Sequence, residues 1–209
     1  MNAAAAGGRP VGDTGARRTS VTRMLAWVGQ NALRLEAARV VLGERSLRAT
    51  GSVVDAPQQG AEPYSASYAL ATDEAGVVRR LTVRTVRAEG EQHVTLNRSE
   101  EGLWLIDHGA GAVRTDFDGA LDVDLAASPL FNAIPLRRLD LHRASAEHVL
   151  PMVFVDLPSL EVRLVRQTYR SVSVDDPAVV SYAGDSSEVE LTVDADGLVL
   201  DYPGLARRA

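Results

Sequence analysis

Apolar and polar residues alternate along most of the chain from Leu33 onward. The alternation is clearest in three runs, which cover residues 64–70, 93–97 and 188–194. A repeat of two places one set of side chains on each face of an extended strand. The pattern therefore predicts antiparallel strands with one covered face and one face in water.

Short polar segments that contain glycine separate these runs. Such segments favour tight turns, because glycine adopts backbone conformations that other residues avoid. We therefore expect hairpins that join consecutive strands into a meander. The turns are predicted near Gly43, at 73–76, near Gly90, at 101–102 and at 194–197.

One connection, from about Gly109 to His148, lacks the alternation. Within it, Ser128 and Pro129 form the start signal of a helix, and an apolar stretch follows up to Ile134. Pro135 is predicted to end this short helix. A connection of this length in a compact domain usually has a function, and its apolar helix has to be buried. We expect the helix at or inside the concave face of a curved sheet.

These patterns predict one all-β domain over residues 24–209, with no repeat and no linker. Residues 1–23 are rich in Ala, Gly and Arg and show no periodicity, so we expect a disordered tail. Met24, where the periodic part begins, is a hypothetical alternative start.

Composition excludes several classes of protein. The net charge of −6 argues against a nucleic-acid partner, which requires a basic surface. The absence of cysteine excludes disulfides and thiolate chemistry. No apolar run is long enough to span a bilayer. The pair Arg17–Arg18 resembles part of an export signal, but polar residues interrupt the segment that follows. We therefore expect a cytoplasmic protein.

The 22 basic residues are all arginine. A GC-rich genome accounts for this composition and leads us to expect a bacterial protein. Selection for bidentate contacts to anions is the alternative explanation.

Four charged residues are candidates for chemistry. Asp122 and Asp124 lie on the same side of an extended segment, which suits acid–base chemistry or a cation. The alternative is that they cap loop amides and pair with Arg137 or Arg138. On a strand the two arginines point to opposite sides, so one pairs internally while the other faces solvent or an anionic ligand head.

Other polar residues give weaker signals. Gln167 and Tyr169 share a strand face, which suits either the polar edge of a cavity or a covered rim of the sheet. His108 is the one histidine expected near a cavity mouth. The four histidines lack the spacing of a metal site, and residues 184–187 read as a turn rather than a nucleophile elbow. We predict no metal and no cofactor.

Three ordered motifs resemble the glycolipid-binding family, formerly a domain of unknown function. They are an Asp-x-Asp stretch followed by proline, asparagine, proline and paired arginines, then Leu-Pro with Gln-x-Tyr, then a terminal Asp-Tyr-Pro-Gly. The matching positions are Asp122, Asp124, Pro129, Asn132, Pro135, Arg137, Arg138, Pro158, Gln167, Tyr169, Asp201, Tyr202, Pro203 and Gly204, with Trp27, Glu36 and Gly51 upstream.

The resemblance implies a strongly curved antiparallel sheet, a half-barrel similar to the lipoprotein-carrier fold, around an apolar cavity. The chain departs from the family pattern around Asn132. Family members usually carry threonines there, roughly as Thr-Pro-Phe-Thr-Asn-Thr, whereas this chain has Ser128, Leu130, Phe131 and Ala133. This departure weakens a role for hydroxyl groups there in binding sugar.

Together these features lead us to expect a non-catalytic protein, monomeric or homodimeric, that binds an apolar or amphipathic, glycolipid-like small molecule. The residues expected to contact the ligand are Asp122, Asp124, Phe131, Asn132, Ile134, Arg137, Arg138, Gln167 and Tyr169. Two alternatives are a hydrolase or lyase that uses Asp122, Asp124 and His108, and a scaffold whose pocket is filled by its own side chains.

Overall fold

The computed structural model describes residues 20–56, 61–184 and 188–209. Fifteen strands form one sheet in the order β8-β7-β6-β5-β4-β3-β2-β1-β15-β14-β13-β12-β11-β10-β9. The strands are β1 Val21–Gly29, β2 Leu33–Leu42, β3 Leu47–Ala56, β4 Tyr64–Thr72, β5 Val78–Arg87, β6 Gly90–Arg98, β7 Trp104–Asp107, β8 Ala112–Thr115, β9 Asp122–Leu125, β10 Glu147–Val155, β11 Val162–Ser173, β12 Ala178–Ala183, β13 Glu188–Val193, β14 Val199–Tyr202 and β15 Ala206–Arg208.

The sheet consists of two meanders that meet in its middle. The first runs outward from β1 to the edge strand β8, and the second runs from β10 to β15, which pairs with β1. The pairings are antiparallel except that of β9 with β10, which is parallel and so requires a long connection. That connection contains the α-helix α1, Pro129–Arg138. The prediction of a mainly antiparallel sheet, half-barrel in form, with a short helix from a long loop is confirmed, and the sheet is not closed into a barrel.

The sheet bends back on itself. The Thr85 hydroxyl on β5 donates to the carbonyl of Pro158 beyond β10 at 3.3 Å, although β5 and β10 are far apart in strand order. The amide of Val78 likewise donates to the carbonyl of Leu121, next to β9, at 3.0 Å. The concave face produced by this curvature encloses α1.

The helix fills the interior between two apolar clusters. Leu130, Phe131, Ala133 and Ile134 pack with side chains of β1–β7, β9 and β10 in the larger cluster. Leu136 packs in the smaller one, against side chains of β11–β14. Because α1 contributes to both clusters, it joins the two meanders from the inside.

The prediction that Pro135 ends the helix is wrong, since α1 continues to Arg138. A proline in a helix interior removes one backbone hydrogen bond. Every residue from Pro129 to Arg137 is buried, and this packing against the sheet offsets the lost bond. Arg137 and Arg138 therefore lie in the last turn of a helix, not on the predicted strand.

Most of the predicted local structure appears where alternation and glycine indicated it. The runs at 64–70 and 93–97 are parts of β4 and β6, the run at 188–194 forms β13 except for its last residue, and the predicted turns separate consecutive strands. β1 begins at Val21, so it includes the last three residues of the predicted tail. Residues 1–19, like 185–187 of the predicted 184–187 turn, lie outside the described residues.

Candidate functional site

α1 crosses the interior from one rim of the sheet to the other. We call the rim where β2 begins and β3 ends the Asp55 rim, and the rim where β2 ends and β3 begins the Gly43 rim. Before the helix, the carbonyl of Ala127 accepts from Arg34 at the Asp55 rim, at 3.3 Å. At its end, Arg137 donates to the carbonyl of Gly43 at 2.7 Å. Ten helical residues span about 15 Å, and the side chains of Arg34 and Arg137 connect the two ends of this segment to the rims.

Charged side chains of β2 point into this interior. Arg34 pairs in register with Asp55, and Glu36 pairs with Val53, so two of the three charged residues of β2, Arg34 and Glu36, lie on the inner face. Leu33 and Leu35 of the same strand lie on the outer face and are exposed. This arrangement reverses the usual sorting of apolar residues inward and marks the start of β2 as a functional candidate.

Glu36 is the centre of a buried cluster beside the start of α1. Its Oε1 accepts from the hydroxyl of Tyr68 at 2.5 Å and from that of Ser128 at 2.6 Å. Its Oε2 is buried and has no hydrogen-bond partner among the described residues. Burial raises the pKa of Glu36 to about 7, because desolvation disfavours the carboxylate. Ser128 makes no side-chain cap to α1, so the predicted cap bonds to Glu36 instead.

A second cluster lies further out, at the Asp55 rim. Arg34 donates through Nε to Oδ2 of Asp55 at 2.8 Å and forms an ion pair with the same oxygen through its terminal amino group. The Tyr64 hydroxyl donates to this oxygen at 3.1 Å. Burial raises the pKa of Tyr64 to about 12, so the phenol remains a proton donor throughout the neutral range.

The other oxygen of Asp55 is an unused acceptor. Asp55 is 4% exposed, and in the described part of the chain its Oδ1 has no hydrogen-bond partner. Asp55 lines a pocket of about 420 Å³, which we call the rim pocket. This volume falls within the range of small-molecule sites. The rim pocket is lined by Arg34, Asp55, Ala61, Glu62, Tyr64, Arg87, Leu157 and Pro158.

Four of the residues predicted from sequence form one hydrogen-bonded chain behind α1. The Gln167 amide donates to Oδ2 of Asp124 at 2.7 Å. The Tyr169 hydroxyl lies 3.0 Å from Oε1 of Gln167 and 3.0 Å from Oδ1 of Asn132 on the helix. All four are buried, and burial raises the pKa of Asp124 to about 6. The chain links β9, β11 and α1.

Asp122 and Arg138 form a buried ion pair at the other end of the helix. Arg138 donates to Oδ1 at 2.9 Å and to Oδ2 at 2.5 Å. The side chain of Asp122 is 1% exposed and that of Arg138 is 12% exposed. The interpretation in which an aspartate pairs with one of the two arginines is therefore correct for Asp122.

Arg137 extends to the Gly43 rim, where it lines a pocket of about 510 Å³. Its guanidinium donates to the carbonyls of Gly43, Glu44 and Asp196. The Nε atom is buried without a hydrogen-bond partner within the described ranges. Arg137 therefore donates mainly to backbone carbonyl oxygens at the Gly43 rim.

Phe131 and Ile134 are packed into the larger apolar cluster, at 0% and 2% exposure. The ring of Phe131 meets the ring of Tyr68 edge-on, with centroids 5.2 Å apart. Neither residue lines the rim pocket or the pocket at the Gly43 rim.

The residues of the predicted hydrolase or lyase are not assembled. Asp122 and Asp124 are buried behind α1, whereas His108 is exposed in the turn between β7 and β8. No hydrogen bond or ion pair between described residues connects His108 to either aspartate. Among the same residues, no group of three or more His, Asp or Glu side chains is arranged to hold a metal ion.

Sequence reasoning missed the rim pocket. The sequence pattern does not identify Arg34, Asp55 or Tyr64 as site residues. A signal was present, because Arg34 and Glu36 fall on the same strand face as Ala38 and Val40. Two charged residues in phase with an apolar stripe indicate a buried polar site.

Comparisons with known proteins agree with the fold. A family model described as "Putative glycolipid-binding" matches residues 24–208. The crystal structure of a DUF1089 family protein from Pseudomonas aeruginosa, at 1.80 Å resolution, is similar, with a TM-score of 0.68 and 26% sequence identity. The match covers 97% of this chain and 100% of that one. The search of curated proteins found no match. Among the described residues, the single α-helix is too short to cross a membrane.

Proposed function

The chain belongs to the glycolipid-binding family whose model matches residues 24–208, and on this premise we propose that it binds an amphipathic, glycolipid-like molecule without transforming it. The polar head of the ligand lies in the rim pocket. The apolar tail extends toward the interior along α1.

The unused oxygen of Asp55 is the observation that carries this proposal. A buried carboxylate oxygen without a donor is costly, since most buried polar atoms have partners. A ligand hydroxyl in the rim pocket supplies the missing donor. Sugar head groups present several hydroxyls, and Arg34, Tyr64 and Arg87 line the same pocket. Leu157 and Pro158 add an apolar wall, as amphipathic ligands require.

The tail is assigned to the interior, where Phe131 and Ile134 remain its proposed contacts. Because α1 fills this space, the tail reaches them only when the helix shifts. Besides the contacts of Arg137 at the Gly43 rim, polar contacts that hold α1 to the sheet are Ser128 with Glu36, Asn132 with Tyr169, and Arg138 with Asp122. Polar contacts of this kind can be exchanged for water more readily than apolar packing.

The remaining predicted residues act on the ligand through the position of the helix. Asp124 and Gln167 orient Tyr169 and thereby Asn132, while Arg137 fixes the end of α1 at the Gly43 rim. We therefore propose these residues, with Asp122 and Arg138, as positioning residues rather than direct contacts.

The expected affinity follows from the size of the tail. Burial of each methylene contributes about 0.8 kcal/mol, and ordering of the ligand and movement of α1 offset part of that gain. A medium acyl chain with a hydrogen-bonded head group then binds in the micromolar range.

Native mass spectrometry of the full chain, purified without detergent, tests the proposal. We expect an added mass that corresponds to a lipid or glycolipid and that is lost on organic extraction. Protein that is always free of adducts, and that also fails to bind added glycolipids, would overturn it.

A further inference from the structure

The outer face of β1–β5 lacks acidic residues although the chain carries a net charge of −6. The registers of these strands define four cross-strand rows on that face. The rows are Val28-Leu35-Val54-Ser65-Val86, Ala26-Ala37-Ser52-Ser67-Arg84, Met24-Arg39-Thr50-Ala69-Thr82 and Thr22-Val41-Arg48-Ala71-Arg80. These five strands therefore present no acidic side chain on this surface, which we call the outer face. Glu91 on β6 forms an ion pair with Arg84 at its edge.

The row nearest the Asp55 rim is apolar and exposed. Val28, Leu35 and Val54 are adjacent in register and are 49%, 48% and 56% exposed. Met24, two rows away, is 73% exposed. Single exposed apolar side chains are common on soluble proteins, but a contiguous patch marks an interaction site.

Three arginines of the outer face lie toward the Gly43 rim. Arg39, Arg48 and Arg80 make no ion pair or side-chain hydrogen bond with any described residue. Together with Ala69 and Ala71 they line a groove of about 380 Å³. Arg48 and Arg80 flank Ala71 in one row. Two strand spacings separate them, about 10 Å, and the small alanine leaves the space between their guanidinium groups open.

We propose that the outer face docks on a bilayer that contains anionic phospholipid. Guanidinium groups pair with phosphate in bidentate fashion, so Arg39, Arg48 and Arg80 contact the head groups. The exposed Val28, Leu35, Val54 and Met24 enter the interface between head groups and acyl chains, as the apolar faces of peripheral membrane proteins do. Charge complementarity favours this partner, because the three arginines are unpaired among the described residues and none of the four rows contains a carboxylate that would repel phosphate.

This docking surface is separate from the rim pocket, since it lies on the opposite face of the same strands. Arg34, Asp55 and Tyr64 point inward, whereas the arginines of the groove point outward. A membrane contact at the outer face would bring the Asp55 rim close to the bilayer from which an amphipathic ligand is taken.

Vesicle flotation with the full chain tests the inference. We expect binding to vesicles of phosphatidylcholine and phosphatidylglycerol at 7:3, and little binding to phosphatidylcholine alone. Binding should weaken as salt increases, because salt screens the attraction to anionic lipid. Equal binding to both kinds of vesicle, or none to either, would overturn the proposal.

Matched triple variants identify the surface. Each basic residue at an anionic membrane contributes about 1 kcal/mol, so Arg39→Gln with Arg48→Gln and Arg80→Gln should weaken binding about a hundredfold. The control, Arg114→Gln with Arg166→Gln and Arg170→Gln, removes the same charge from exposed arginines elsewhere and should retain most of the binding. Equal losses in the two triple variants would contradict docking through the outer face.

Two further measurements separate this inference from its rivals. The Asp55→Asn variant should bind vesicles as the unmodified protein does, even if it no longer binds glycolipid. The flotation assay therefore tests membrane docking independently of glycolipid binding. Sedimentation equilibrium tests a second copy of the chain as the occupant of the face. The protein could form a dimer that becomes monomeric in the double variant Leu35→Thr with Val54→Thr, and at the same time fail to bind vesicles. That result would show that a second copy of the chain, not a membrane, occupies the outer face.

Discussion

The hydroxyl of Ser128 donates to Oε1 of Glu36 at 2.6 Å, which ties the residue before α1 to the inner face of β2 across 92 positions of sequence. The same carboxyl oxygen accepts from Tyr68 on β4. One ionisable group thus connects the internal helix to two strands of the sheet.

Glu36 should make stability depend on pH. Its pKa is about 7 in the folded protein against an ordinary 4.5, so the folded state retains a proton that the unfolded state releases. Its contribution is therefore fully present below pH 4.5 and is lost as pH rises to about 7. The shift corresponds to about 3 kcal/mol. Urea denaturation between pH 4.5 and 8 measures it.

Glu36→Gln supplies the control for that experiment, because glutamine resembles the protonated acid. We expect the variant to lose most of the pH dependence that Glu36 causes and to exceed the unmodified protein in unfolding free energy above pH 7. The remaining slope reflects Asp122 and Asp124, whose pKa values burial also raises. Parallel pH profiles of the two proteins would show that Glu36 does not titrate in this window.

Gly51 and Tyr68 should be coupled. They are partners in the register of β3 and β4, and a side chain added at Gly51 would overlap the Tyr68 ring. Gly51→Ala should therefore displace the ring and its hydrogen bond to Glu36, and lower the free energy of unfolding by about 1–3 kcal/mol. In a Tyr68→Val background the same change should cost much less. A double-mutant cycle measures this, and additive effects would contradict the coupling.

The ion pairs Asp122–Arg138 and Asp118–Arg166 differ in burial, so they should contribute differently to the free energy of unfolding. Asp122→Asn leaves the buried Arg138 without its charged partner and should destabilise the protein by about 3–5 kcal/mol. Asp118→Asn breaks an ion pair with Arg166 whose side chains are more than half exposed, and should cost about 0–1 kcal/mol. Chemical denaturation of both variants at neutral pH compares them, and similar losses would show that the Arg138 pair is better solvated than its burial indicates.

The hydroxyl of Tyr169 should stabilise α1 in its position against the sheet. Tyr169→Phe removes the hydroxyl between Gln167 and Asn132 while preserving the packing of the ring. We expect a loss of about 1–3 kcal/mol, since the two buried amide oxygens lose the one hydroxyl donor that they share. Amide hydrogen exchange should accelerate in residues 129–138 more than in β1–β5. A uniform increase in exchange rates over the chain would show that Tyr169 does not stabilise α1 specifically.

Local structure was predictable because it depends on local sequence. Alternation placed the strands, glycine placed the turns, and the apolar stretch after Ser128 identified a buried helix. The predicted end of this helix at Pro135 is wrong, because burial of Leu136 stabilises the helix by more than the loss of one backbone hydrogen bond destabilises it. The terminal Asp-Tyr-Pro-Gly motif leads from the end of β14 into the turn before β15.

The site was only partly predictable because its contacts are not local. Asp124 and Gln167 are 43 positions apart, and Arg34 and Asp55 are 21 apart. Periodicity does not determine which strands become neighbours, so it could not join these side chains. The inward position of Arg34 and Glu36 depends on which face of β2 the sheet encloses. Because two leucines lie on the opposite face at the start of the same strand, the sequence does not show which face is buried.

Calorimetric titration with dodecyl maltoside below its micelle concentration tests the central claim that the rim pocket binds an amphiphile through Asp55. In Asp55→Asn the amide oxygen can continue to accept from Arg34, while the amino group replaces the free acceptor. We predict micromolar binding to the unmodified protein, binding weakened at least tenfold in Asp55→Asn, and unchanged binding in Asp118→Asn. No binding to the unmodified protein, or equal binding by the Asp55→Asn variant, would contradict the account.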